Sequence, residues 1–162
     1  MRQLLLIFFL LPGIVKSQVN DDLIRQKVLH AGIIDSEFIF GKWNEKGGTE
    51  TRLKYLGQVA TKSGKSFKVM NSIWLWGLSC RATSRILIFD YQNRYVGEYF
   101  VGMTYDLPNK LSDGKLLFKN NERGDCDKKL VTVVDLKTGL PKQFFLKCKG
   151  DFGDIYSFST ED

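Results

Sequence analysis

Any chemistry in this chain must come from aromatic rings and carboxylates, because the usual catalytic residues are scarce. There is one histidine, His30. A centre built on two imidazoles is therefore excluded, and a serine or cysteine triad would have to recruit that single side chain. Carboxylates cluster at Asp151 and Asp154 in Gly150-Asp151-Phe152-Gly153-Asp154, and at Asp125 and Asp127 on either side of Cys126. Such groups can hold calcium or work as a general acid and base, but neither cluster has the spacing of an EF-hand loop. Glycoside hydrolysis needs two carboxyls about 5 to 10 Å apart across a cleft. A carboxylate-dependent glycan hydrolase therefore requires two of Glu98, Asp106, Asp151 and Asp154 to converge, whereas turn formation and solvation explain these residues more simply. A GxSxG elbow, a phosphate-binding glycine loop and a dinucleotide fingerprint are all missing. No cofactor and no metal site is implied, and the balance weighs against an enzyme.

The aromatics point to binding. Trp74 and Trp76 are two apart in a β-rich run, so they share one face of a strand. Exposed, such a pair stacks on sugar rings or anchors a protein partner; buried, it is core, which is the usual fate of large aromatics. Trp43 is the third tryptophan and the third candidate ligand-binding residue. Arg123-Gly124-Asp125 spells the tripeptide recognised by integrins, in a polar stretch where it would be displayed, although a turn beside Cys126 explains it equally well.

The elements that must position these residues are mostly strands. Ser66 to Val101 is the densest β-forming run, with Arg85 to Phe89 and Tyr95 to Val101 joined by Tyr91-Gln92-Asn93-Arg94. If Asp90 faces Tyr95, then Phe89 faces Val96, Ile88 faces Gly97, Leu87 faces Glu98 and Ile86 faces Tyr99. One face then carries Ile86, Ile88, Tyr99 and Val101, and the other Leu87, Phe89, Val96 and Phe100. A hairpin apolar on both faces needs cover on both faces, which places it centrally. Asn93 suits the left-handed turn position. Upstream, Asn20 to Ala31 reads as a helix with Leu23, Ile24, Lys27, Val28 and Ala31 on its apolar stripe and Gly32 at its end. Phe38 to Trp43 and Thr49 to Ala60 read as strands, Leu78 to Ser84 as a loop, and Met103 to Lys115 as a connection around Pro108. Lys115 to Lys119 and Asp154 to Phe158 are further strands. The fold class is mainly β: a single-domain antiparallel β-sandwich of about eight or nine strands with one N-terminal helix.

Three cysteines, Cys80, Cys126 and Cys148, bear on compartment. Lys129 to Asp135 and Lys142 to Cys148 read as a hairpin centred near Lys137, from which Cys126 and Cys148 are equidistant. A Cys126–Cys148 bridge across the hairpin base follows, leaving Cys80 free and buried. At the N-terminus, Arg2 precedes an apolar run from Leu4 to Val15 that is too short for the roughly 20 residues of a membrane span. Residues 1–17 are expected to be a signal peptide, cleaved before Gln18, with residues 18–162 forming one β-rich domain. The protein is then secreted or periplasmic, with no membrane span after leader removal. Loss of Arg2 and Lys16 with the leader lowers the formal charge from +6 to +4. The remaining cations are spread through strands and turns rather than gathered in a stripe, so no nucleic-acid partner is expected.

Gly41-Lys42-Trp43, shortly after a helix and opening a β meander, resembles the Gly-x-Trp element near the first strand of lipocalins. The resemblance covers three residues and the approximate strand count. It implies, as the alternative fold, an eight-stranded barrel plugged at one end by that element and, as the alternative function, a carrier of a small apolar ligand. The leading expectation is a non-enzymatic binding domain for a protein or glycan partner.

Overall fold

The computed structural model describes residues 21–120 and 122–160; the expected leader lies outside them. Among the described residues one helix, α1 (Asp21–Ala31), is followed by ten strands: β1 (Glu37–Asn44), β2 (Gly48–Ala60), β3 (Ser66–Trp76), β4 (Arg81–Asp90), β5 (Tyr95–Val101), β6 (Lys110–Ser112), β7 (Lys115–Lys119), β8 (Val131–Asp135), β9 (Gln143–Lys149) and β10 (Phe152–Ser159). A single 3-10 turn, Thr104–Asp106, lies between β5 and β6. The strands form an antiparallel seven-stranded sheet in the order β1-β2-β3-β4-β5-β10-β9 and a three-stranded sheet in the order β6-β7-β8. The architecture is a β-sandwich with one helix. The strand beyond those legible in the sequence is β6, and β4 begins at Arg81 rather than Arg85.

The hairpin β4–β5 is central and apolar on both faces. Ile86, Ile88, Tyr99 and Val101 point into a core shared with Leu116 and Phe118 of β7, Val134 of β8 and Phe144 and Leu146 of β9. Leu87 and Phe89 point the other way, joining Leu53, Tyr55, Met70 and the α1 residues Val28 and Leu29. The expected register holds from Ile86 to Ile88, then slips at a bulge, so that Phe89 pairs with Tyr95. The extra residue, Val96, turns into the inter-sheet core instead of sharing a face with Phe89. Gly97 beside it is required: a Cβ there would sit 2.5 Å from the Phe158 ring. Asn93 takes the left-handed conformation, at φ 65°.

Three expectations are corrected. The buried stripe of α1 is Ile24, Arg25, Val28 and Leu29, with Leu23 64% exposed; Arg25 is buried because its guanidinium lies 5.7 Å from the centre of the Tyr95 ring. The runs around Lys137 are not a hairpin. Strand β8 pairs with β7, β9 pairs with β10, and residues 136–142 carry the chain from one sheet to the other. Finally, no closed barrel forms: β1 and β9 end the large sheet without meeting, and the space between the sheets is filled by Tyr99, Phe118, Phe144 and Tyr156, whose rings meet at 5.2 to 5.6 Å. Gly41 has a local role instead. It sits at a bulge with φ 76°, where a Cβ would strike the Thr49 carbonyl oxygen at 2.5 Å.

Candidate functional site

Side-chain alternation in β3 sends Met70, Ser72, Trp74 and Trp76 to the helix side of the sheet. Helix α1 packs over Met70 but not over the tryptophans, which belong to neither core. Both are half-buried. Strand pairing sets Trp74 opposite Thr51 on β2 and Thr83 on β4, and Trp76 opposite Arg81. The indoles stack on each other at 5.4 Å with an angle of 18° between planes. The Arg81 guanidinium lies 5.5 Å from the Trp76 ring centre, and the Trp76 indole N–H donates to Thr83 Oγ1 at 3.0 Å. Trp74, Trp76 and Arg81 thus form one ladder of flat groups.

Trp43 approaches the same end of the sheet. Its indole N–H donates to the Gly77 carbonyl at 2.8 Å, tying β1 to the turn after Trp76. Its backbone N–H reaches Glu50 Oε2 at 3.4 Å, while Arg52 Nε donates to Glu50 Oε1 at 2.7 Å. The bond from Arg52 is the main reason the Glu50 carboxyl is held below its ordinary range. Trp43 is therefore a brace beside the ladder rather than the floor of a barrel.

The apolar surface continues across the sheet. Phe100 lies opposite Arg85 on the helix-side face, and Arg85 is tied to Glu98 at 3.1 Å. Ile155 pairs with Phe145, both pointing away from the inter-sheet core that takes their neighbours Tyr156 and Phe144. Phe100 and Ile155 are 56% and 62% exposed. Sequence reasoning named the tryptophans but missed this continuation. Its signal was the paired alternation of Phe144-Phe145 with Ile155-Tyr156, legible only once β9 is known to pair with β10.

The other candidates resolve differently. Cys126 and Cys148 are bridged, although not across a hairpin: the bridge fastens the loop after β7 to the end of β9, beside the hydrogen bond from Asp127 N to Cys148 O. Cys80 is free but exposed, in a turn where it adopts φ 52°. Arg123 is not displayed. It is buried, with Nε 2.6 Å from Asp106 Oδ1 in a charge contact bent outside hydrogen-bond geometry, and its NH2 group binds Asp154. Asp106 also accepts from the Tyr156 hydroxyl at 2.8 Å and from Met103 N at 3.0 Å. Two of the four carboxylates thus converge, but the Arg123 guanidinium fills the space between them. Among the described residues no three histidine, cysteine or carboxylate groups gather as a metal site, and no helix is long and apolar enough to cross a membrane. Family models, curated proteins and solved structures give no match to this chain, so the geometry alone carries the functional reading.

Proposed function

We propose that this chain is a non-enzymatic binding domain, secreted or periplasmic, whose partner is a protein docked on the Trp74–Trp76–Arg81 ladder. The observation that carries this reading is that ladder, half-buried and outside both cores. Sugar stacking requires a free ring face. Here one face of each indole is taken by the other, and Arg81 covers Trp76 again, so only the outer face of Trp74, rim atoms and a guanidinium are left to meet a partner. Tryptophan and arginine are the residue types enriched at the energetic centres of protein interfaces, where they lie against apolar surroundings that exclude water. Phe100 and Ile155 extend the apolar area. Among the described residues Arg81 makes no ion pair, which favours a partner presenting a carboxylate beside an apolar side chain. The disulfide is compatible with an oxidising compartment.

The test is site-specific photo-crosslinking in the source cells, with the probe at position 81 and a control probe at exposed Gln58. A discrete protein adduct should form from position 81 only and disappear in Trp74→Ala. Equal adducts from both positions, or saccharide binding that Trp74→Ala abolishes, would overturn the reading. N-terminal sequencing of the exported chain should begin at Gln18; an intact Met1 in the mature protein would refute the leader.

A further inference from the structure

An open cleft lies at the far end of β3 from the tryptophans, between the β2–β3 turn and the β4–β5 turn. Its volume is about 650 Å3, within the roughly 300 to 1,000 Å3 of small-molecule sites. Lys65 and Phe67 line it from one turn, and Asp90, Tyr91 and Arg94 from the other. Strand pairing sets Phe67 opposite Asp90, and the half-buried Phe67 ring packs on the inter-sheet core, so it forms the floor.

Both walls are braced by their own side chains. In the β2–β3 turn the buried Thr61 hydroxyl accepts from Lys65 N at 3.1 Å and donates to the Lys65 carbonyl at 3.0 Å. In the β4–β5 turn Asp90 Oδ1 accepts from Gln92 N at 2.8 Å and Arg94 N at 3.0 Å, while Oδ2 accepts from Arg94 Nε at 2.6 Å. The only carboxylate lining the cleft is thus saturated with donors from its own turn, and it fixes the Arg94 guanidinium by one nitrogen. The two terminal nitrogens of Arg94 and the Lys65 ammonium have no partner among the described residues, and both side chains are exposed. The walls are fixed before anything binds, which lowers the cost of binding.

Two cations against one spent carboxylate select an anion. The backbone decides which kind. Phosphate sites in turns are built from several free amides, and here the amides are already used: Gly64 N and Asn93 N donate to the Thr61 and Asp90 carbonyls, and Lys65, Gln92 and Arg94 N to the side chains above. A carboxylate needs only the two parallel donors that the free edge of a guanidinium offers. Tyr91, 64% exposed, stands beside these cations with no apolar cover, and with Phe67 it gives the cleft two aromatic rings. Rings prefer offset or edge-on contact with another ring. We infer that this cleft binds a small aromatic carboxylate, its carboxyl oxygens on the free edge of Arg94 and on Lys65 and its ring against Phe67 and Tyr91. This site is independent of the tryptophan ladder.

The test is an NMR titration of the isotope-labelled, disulfide-bonded chain with benzoate, phenylacetate and indole-3-acetate. Indole-3-acetamide keeps the ring without the charge, acetate keeps the charge without the ring, and inorganic phosphate is the competing anion. At least one aromatic acid should shift the backbone amides of Lys65, Phe67 and Tyr91 and saturate with a Kd on the order of 1 mM. The amide, acetate and phosphate should each bind at least about tenfold more weakly, as loss of a charge-assisted hydrogen bond or of a ring contact requires. Arg94→Gln should lower the affinity about tenfold, and Trp74→Ala should leave it unchanged. Because Arg94→Gln also frees Asp90, Lys65→Gln, at an exposed position that leaves that turn intact, should separately lose several fold. Cleft amides that no aromatic acid moves, equal binding of the acetamide, a preference for acetate or phosphate, unchanged affinity in Lys65→Gln and Arg94→Gln, or loss in Trp74→Ala would each overturn the inference.

Discussion

Ile86 and Leu87 are neighbours in β4 and both are fully buried, yet they are covered by different things. Ile86 faces a second sheet, whose Leu116, Phe118 and Val134 close over it. Leu87 faces one helix of 11 residues. Such a helix is about 16 Å long and, with its side chains, 10 to 12 Å across. Seven strands spaced about 4.8 Å apart make a sheet nearly 30 Å wide. The helix cannot cover that face, and it sits over β1 to β4 near Met70. The bare remainder holds Trp74, Trp76, Phe100, Ile155 and Phe145. The inter-sheet side is where the two sheets close on each other, and the helix side is where apolar surface is left uncovered by the helix.

The sharpest test sets one aromatic from each side against the other. Phe118 is 2% exposed at the centre of the inter-sheet core, and Phe118→Ala should cost about 3 to 5 kcal/mol. Trp74 is larger but only half-buried, so Trp74→Ala should cost roughly 1 to 2 kcal/mol from its lost apolar burial. Urea unfolding of both variants measures the difference. Equal losses would place Trp74 in the core and remove the case for a binding face.

The second difference is covalent. Cys126 and Cys148 are 22 residues apart, and just before Cys126 lies the buried Arg123 that binds Asp106 and Asp154. Removing the bridge with Cys126→Ser/Cys148→Ser should cost about 2 to 4 kcal/mol by the loop-closure argument, and should loosen this end of the inter-sheet core first. Hydrogen exchange would show it as lost protection at β9 and β10 with protection retained at β2 and β3. Uniform loss across the sheet would mean that the two sides do not differ in this respect.

How far the sequence could be read follows from the range of each interaction. The β4–β5 hairpin was legible because its faces are set by alternation over a few residues; the bulge at Val96 was not, because it depends on Gly97 lying against Phe158 from a strand far along the chain. The Cys126–Cys148 bridge was anticipated through a hairpin that does not exist. Its true cause is a loop folded back by Asn120, whose Nδ2 donates to the carbonyls of Asp127, Lys147 and Cys148, and no local pattern announces that. The tryptophan pair was legible as sharing a face. Whether that face is covered depends on the length of α1 against the width of the sheet, and the width is fixed only when β10 and β9 add to β5.

The smallest expected effect concerns pH and separates the sides through their tyrosines. Burial in the inter-sheet core pushes the Tyr99 hydroxyl far above its ordinary range, and the hydroxyl donates to the Pro141 carbonyl at 2.7 Å. Tyr55, under the helix, is also raised by burial, but less. A phenol whose pKa is raised on folding stabilises the protein fully below its unfolded value of about 10, and that contribution is lost as pH rises towards the folded value. Tyr99→Phe removes one hydrogen bond, so at neutral pH it should cost about 1 kcal/mol. Above pH 10 the wild type loses stability through Tyr99 and the variant does not, so the gap should narrow with each further step in pH and then reverse. Tyr55→Phe should change the alkaline limb in the same direction by less. Unfolding curves between pH 7 and 11 measure both slopes. If Tyr55 governed the alkaline limb and Tyr99 did not, the helix-covered side would be the drier of the two, and the division between a sealed inter-sheet core and a partly open helix-side face would have to be redrawn.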